Sequence, residues 1–262
     1  MINFLLNLKS FIPLKIRVIL HKIYFNPLIC YLENLVCGNK IKYSDLVLVD
    51  DKNIISNITR SLIRHNLYEK YEFEAVENLF LEPENLIDLG SSIGLLSLSI
   101  ARKQENKKIV LVEPVFEYQA FSKKLFKKYS KNEHYFVNKA IDYSDNKIFI
   151  EKKDILESEV NYLSGKNIDK VTINEIIKSF KIDRFNLIID IEGLSFEPLF
   201  KESNIFSKCT NLLIEEKFSE EYKKEIVFEK LKDLGFEVFY FQETRGSNVI
   251  AAYNKEFHKK NL

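Results

Sequence analysis

The sequence predicts an α/β fold in which a mainly parallel sheet carries helices on its faces and ends in an antiparallel strand. A helical extension over residues 1–44 precedes the main domain, 45–262. Three observations predict this. Residues 85–100 read as a buried strand, a glycine turn and a helix. Leu86, Ile87 and Leu89 surround Asp88, Gly90 and Gly94 bracket Ser91 and Ser92, and Ile93, Leu95, Leu96, Leu98 and Ile100 supply the apolar positions that follow. Further short apolar runs, Ile109–Val112, Leu187–Ile189 and Leu212–Ile214, end in Glu113, Asp190 and Glu215, as buried parallel strands ending on a polar rim would. Last, Phe236–Phe241 and Asn248–Tyr253 are joined by a link too short for a crossover, so they must run antiparallel.

The elements follow in chain order. Residues 1–37 mix apolar side chains with Lys9, Lys15, Arg17 and Lys22, which suits amphipathic helices broken near Pro13 and Pro27. No uncharged apolar run reaches the ~18 residues that cross a bilayer. The start lacks Lys or Arg until Lys9 and no A-x-A site follows, so no signal peptide is expected. The segment is expected to pack on its own domain or on a second subunit, as in a homodimer, with a membrane surface as the alternative. Asp45–Asn53 reads as a strand ending in a polar turn. Residues 54–80 read as mostly helical, with a break near Asn66. Residues 116–130 form a helix on Phe116, Tyr118, Phe121, Leu125 and Phe126. His134–Ile141 is a third strand, and Lys147–Glu151 a further one paired to it through the turn at Ser144–Asn146. The polar stretch 152–170 is expected to be a loop. Thr172 and Glu175 match a capping box, so a helix starts there. Strand alternation after Leu187 would put Asp190 and Glu192 on one side and Ile191 on the other. A helix over 220–234 is closed by Gly235.

Composition bounds the function. With 39 basic and 38 acidic residues in 262, the net charge of +1 favours neither nucleic acid nor an acidic partner. Three cysteines without a C-x-x-C pair suit reduced thiols in a cytoplasmic protein. Four separated histidines show no zinc spacing, and no metal site is expected.

The glycine turn and Glu113 are the motifs that carry chemistry. Glycine allows positive φ and close ligand approach, and Glu113 lies just over twenty residues past Gly90, where nucleotide-binding folds place a carboxylate for ribose hydroxyls. The D-x-G-x-x-x-G spacing lacks the G-x-G-x-x-G of dinucleotide binders, which favours S-adenosylmethionine over NAD. A solvated charge at a strand end is the plain alternative for Glu113.

Ile87–Gly94, Val112–Pro114, Asn138–Ile141 and Leu187–Gly193 fall in the order and spacing of the FkbM-type S-adenosylmethionine-dependent methyltransferases, which residues 65–253 resemble. Glu69, nineteen residues before Asp88, also stands where that family commonly has a glutamate. The chain departs from the family at Ile188 (usually lysine), Ser195 (usually glutamate) and Ser92 (usually asparagine). The resemblance implies a class I methyltransferase, Rossmann-like fold with S-adenosylmethionine as cofactor. It implies cofactor contacts from Glu69, Asp88, Gly90, Ser91, Gly94, Glu113, Pro114 and Asp142, the last near the adenine, and acceptor contacts from Tyr68 and Glu192. The strand-end carboxylates should share one rim at the switch point of the sheet. Asp190 and Glu215 have the chemistry of a base for the acceptor's proton, or of oxygen ligands to a divalent cation. The expected reaction is O-methylation of a small-molecule or carbohydrate hydroxyl, such as a sugar of a surface polysaccharide. N-methylation, or a degenerate domain that binds without turnover, are the other readings.

Overall fold

The computed structural model describes residues 26–50, 54–79, 83–144, 148–151, 159–161, 166–244 and 246–258. These fall into two compact units, one ending at Lys70 and the other beginning at Tyr71, whereas the sequence reading put a boundary at 44/45.

The first unit contains α1 (Pro27–Cys37), a hairpin of β1 (Lys40–Tyr43) and β2 (Leu46–Val49), and α2 (Asn57–Arg64). Asn26 caps α1 by accepting the Leu28 N–H at 2.9 Å, and Pro27 fits the first turn, where its missing N–H costs nothing. Ser44, at φ 52°, makes the hairpin turn. Strand β1 had no counterpart in the sequence reading. Asn34 donates to the Cys30 and Asn57 carbonyls, and Glu33 accepts from the Ser61 hydroxyl and pairs with His65, so α1 and α2 are held together by polar contacts. Asp50 accepts the Ile54 and Ile55 N–H groups and pairs with Arg60 at 2.7 Å, both side chains buried. Asn66, at φ 54°, marks the expected break before α3 (Lys70–Leu79).

The second unit is built on a seven-stranded sheet. In chain order its elements are α3, from Tyr71 on, β3 (Asn85–Leu89), α4 (Leu95–Ala101), β4 (Lys108–Val112), α5 (Phe116–Tyr129), β5 (Glu133–Val137), β6 (Ala140–Ile141), β7 (Ile148–Glu151), β8 (Glu159–Asn161), β9 (Lys166–Ile168), β10 (Lys170–Val171), α6 (Ile173–Phe180), β11 (Phe185–Ile189), α7 (Glu197–Lys201), a 3₁₀ turn (Ser203–Lys208), β12 (Cys209–Glu216), α8 (Lys224–Asp233), β13 (Phe236–Glu243), β14 (Asn248–Asn254) and α9 (Lys255–His258). The strand order is β5-β4-β3-β11-β12-β14-β13. All neighbours from β5 to β12 are parallel, and β14 runs antiparallel to both β12 and β13. This is the Rossmann-like topology of class I methyltransferases, as expected. On one face Ile87, Leu89, Val110, Val112, Leu187, Ile189, Leu212 and Ile214 form the main core with Ile173, Ile176, Leu199, Val227 and Leu231 from the helices.

Four expectations are corrected. The run 134–141 is two strands, β5 in the main sheet and β6 paired in parallel with β10. Strand β7 pairs with β8 and β9 in a separate small sheet rather than folding back on β5. Within 152–170, the described parts are therefore strands rather than loop; residues 152–158 and 162–165 lie outside the described set. The helix expected over 220–234 begins only at Lys224, after bends at 220–222.

Candidate active site

The parallel register sets one level at the C-terminal rim of the sheet. Val137, Val112, Leu89, Ile189 and Ile214 are paired across five strands. The next residues, Asn138, Glu113, Gly90, Asp190 and Glu215, therefore stand side by side where the strand order reverses between β3 and β11. That is where open α/β sheets bind ligands.

The glycine turn is fixed from below. The Gly90 and Ser91 N–H groups both donate to the Val112 carbonyl, at 2.9 and 3.0 Å, and Gly94 N–H donates to Ser91 O at 2.7 Å. Gly90 and Gly94 have φ of 81° and 72°. A Cβ at Gly90 would overlap the Asp190 carbonyl oxygen, and one at Gly94 would overlap the Ser122 hydroxyl. The sequence reading gave these glycines to ligand approach. In the structure they are needed for the close packing of β3 against β11 and α5.

Glu113 joins two loops. One carboxylate oxygen accepts the Ser92 N–H at 2.9 Å and the other the Val115 N–H at 2.7 Å. Burial pushes its pKa up to about 7, against the pull of the Val115 and Ser92 donors and with a push from Asp88. Asn138 clamps the same loop by donating to the Glu113 and Pro114 carbonyls. Asp88 lies one residue below the rim, buried under α4, where it accepts the Ser97 hydroxyl at 2.5 Å. Burial raises it to about 7 as well, with Ser97 opposing. It supports the turn from beneath rather than standing on the rim.

Polar groups without protein partners cluster here. The Ser91 and Ser92 hydroxyls in the turn, and Gln119 Nε2 and the Ser122 hydroxyl on α5, are buried and make no hydrogen bond among the described residues. Leaving such groups unmet costs roughly 1–3 kcal/mol each. A cofactor with hydroxyl, carboxylate and ammonium groups would meet them, so the donor set fits S-adenosylmethionine. Gln119 and Ser122 were not singled out from sequence, because on a helix they read as ordinary polar positions.

The opposite side of the rim differs more from expectation. Strand β11 stops at Ile189, and the chain turns through 192–196, so the alternation that would align Asp190 with Glu192 does not continue. Asp190 is half-buried, its backbone N–H held by the Leu89 carbonyl at 2.9 Å. Glu192 is exposed. Ser195, buried, accepts the Ile191 N–H at 2.8 Å and donates to the Ile191 carbonyl at 3.0 Å. Its own N–H goes to Glu216 at 3.0 Å. Glu216 thus anchors the turn. Burial raises its carboxyl, opposed by the N–H groups of Ser195, Lys217 and Gly193 and by the Lys217 charge. Glu216 was missed, yet the signal was present: alternation along β12 puts it on the core side with Leu212 and Ile214. Glu215 points the other way and accepts the Ser247 hydroxyl.

Asp142 is occupied by protein. Lys170 Nζ lies at 2.5 Å and the Ser144 N–H and hydroxyl at 3.0 and 2.8 Å. Burial pushes its carboxyl up, but the lysine and the Ser144 donors outweigh this and hold it below the usual range. Tyr68, buried, and Glu69, at φ 48°, belong to the first unit, and the rim described here is built from the second alone. Ile188 is packed in the sheet beside Asp88. Among the described residues no group of three His, Cys, Asp or Glu is placed to hold a metal.

Beyond Asp190 and Glu215 the rim carries an aromatic cluster. Phe196 stacks on Phe218 with centroids 5.7 Å apart, and Tyr222 lies 6.0 Å from Phe196 and 5.3 Å from Phe200.

No protein-family model matches the chain, and no curated protein sequence matches it. Solved structures with a similar fold include magnesium protoporphyrin IX methyltransferase from Synechocystis PCC 6803 with bound SAM (15% identity, 90% of this chain and 96% of that one, TM-score 0.41). They include precorrin-6y C5,15-methyltransferase from Geobacter metallireducens GS-15 (12%, 82% and 100%, TM-score 0.43). Ribosomal protein L11 methylase from Lactobacillus delbrueckii subsp. bulgaricus is a third (10%, 71% and 78%, TM-score 0.42). At these identities and scores the assignment of the fold rests on the strand order and register themselves.

Proposed function

We propose that this chain is an S-adenosylmethionine-dependent methyltransferase of the FkbM type, acting on a hydroxyl of a small molecule or carbohydrate, such as a sugar of a surface polysaccharide. The observation that carries the reading is the turn at 90–94, tied to Glu113 and flanked by the unpaired hydroxyls of Ser91, Ser92 and Ser122. Glu113 would accept from ribose hydroxyls with the lone pairs its two backbone donors leave open. Ser91 and Ser92 would take the polar ends of the cofactor. When bound, S-adenosylmethionine supplies a methyl group on a positively charged sulfur.

On the acceptor side, Asp190 would hold the acceptor hydroxyl and receive its proton as the oxygen takes the methyl group. Rigid placement at the end of β11 is what makes it suitable, because most of the rate gain in such a transfer comes from alignment. Phe218 and Tyr222 offer aromatic faces on which a sugar ring can stack, with Glu197 and Glu221 near Tyr222. Glu215, turned to Ser247, is the second candidate base.

The test is calorimetry of S-adenosylhomocysteine on the full chain, followed by turnover with a panel of sugars and nucleotide-sugars. Binding is expected to weaken in Glu113→Ala. Asp190→Asn is expected to keep cofactor affinity while lowering kcat by ~10²-fold or more. A folded wild type that ignores S-adenosylhomocysteine, or that binds NAD tightly, would overturn the reading. Cofactor binding without turnover on any acceptor would favour the binding-domain alternative, to which the departures at Ile188 and Ser195 point.

A further inference from the structure

We propose that α1 docks the protein on an anionic lipid surface. Leu28, Tyr31, Leu32, Leu35 and Val36 recur at helical spacing and form one stripe. That stripe faces solvent: Leu28 is 64%, Leu35 63% and Val36 88% exposed. Soluble proteins rarely leave such a contiguous apolar strip uncovered. The other side of α1 is the polar one. Cys30 and Asn34 are buried, and the helix's one acid, Glu33, is engaged by Ser61 and His65 of the same unit. Negative charge is therefore withdrawn from the stripe.

The charge of the leading chain selects the occupant. Residues 1–25 carry Lys9, Lys15, Arg17 and Lys22 and no Asp or Glu, and they join α1 directly. A second copy of the chain would offer this segment the same basic charge and no acidic side chain of its own stretch to pair with. An anionic bilayer complements both features, receiving apolar side chains at the depth of the headgroups and basic ones at its surface. No helix among the described residues is long and apolar enough to cross a membrane, and in residues 1–25 the basic side chains interrupt every apolar run short of the ~18 residues a span needs, which suits contact with the surface.

The experiment is sedimentation of the full chain with vesicles, either phosphatidylcholine alone or phosphatidylcholine mixed with phosphatidylglycerol. It reads no turnover, so it stands apart from the methyl-transfer proposal. Binding is expected only to the mixed vesicles, to fall on raising salt, and to drop ten-fold or more in Leu32→Glu/Leu35→Glu. Val36→Glu, at the most exposed position, is the second variant should the double one fail to keep its circular dichroism spectrum. Absence of sedimentation with mixed vesicles, or unchanged binding in a folded stripe variant, would overturn the proposal. So would a wild-type dimer that ignores vesicles and becomes monomeric in the variant, since the stripe would then be a subunit interface.

Discussion

At position 90 the chain runs at φ 81°, and a Cβ there would overlap the Asp190 carbonyl oxygen; at Gly193, with φ 78°, a Cβ would meet nothing within 4 Å. The two glycines share a backbone conformation and differ only in their neighbours. Gly193→Ala should therefore cost about 1 kcal/mol, the strain of a left-handed residue. Gly90→Ala should cost more, roughly 2–4 kcal/mol, because β3 and β11 must also separate. Urea denaturation of both variants without ligand measures the difference. The buried carboxyls set a pH dependence. The Asp88 pKa is about 7 in the folded chain against an ordinary 3.8, so the fold holds that proton more tightly than the unfolded chain does. Its contribution is fully present below pH ~4 and is lost as pH rises through ~7. Stability should thus decline between pH ~4 and ~7, by up to about 4 kcal/mol from this group. Asp88→Asn, which keeps an acceptor for Ser97, should flatten that part of the curve in melts across the range.

Helix α6 shows how local and distant groups share one element. Its capping box is visible in sequence: Thr172 accepts the Glu175 N–H at 3.3 Å, and Glu175 accepts the Thr172 N–H at 2.8 Å. Glu202, from the end of α7, fills the remaining gap by accepting the Ile173 and Asn174 N–H groups at 2.8 and 2.9 Å, while Tyr143 donates to it at 2.6 Å. No pattern in the sequence announces a partner 29 residues away. Thr172→Ala is expected to cost about 1 kcal/mol. Glu202→Ala is expected to cost more, about 2–4 kcal/mol, because it strands buried donors in addition to losing bonds. Chemical denaturation of each variant ranks them, and equal costs would refute the role given to Glu202. The turn after β11 follows the same rule, with Ser195 and Glu216 closing it across two strands.

For the molecule as a whole, a ligand selective for the folded chain must raise its stability. S-adenosylhomocysteine at about 100 times its Kd should add about 2.7 kcal/mol, or roughly 5–10 °C in melting temperature for a domain of this size. A scanning fluorimetry titration checks this, with Glu113→Ala expected to shift less. The strand-turn-helix at 85–101, the strands at 108–112, 185–189 and 209–216, the terminal antiparallel pair and the capping box were all legible in sequence. Each is written in side chains near one another along the chain, as apolar runs, glycines or caps. The level shared by Glu113, Gly90, Asp190 and Glu215 was also foreseeable, because parallel strands that end together must bring their ends together. What lay outside the sequence was pairing at a distance. Strand β7 chose β8 and β9 over β5, Asp142 was taken by Lys170, and the Ser195 N–H of the turn after β11 found its acceptor on Glu216 of the neighbouring strand. Sequence fixes which groups are polar and when a strand ends, since those depend on neighbours along the chain. Only the tertiary structure decides which donor reaches which carboxylate, because that depends on where packing leaves a buried group without water.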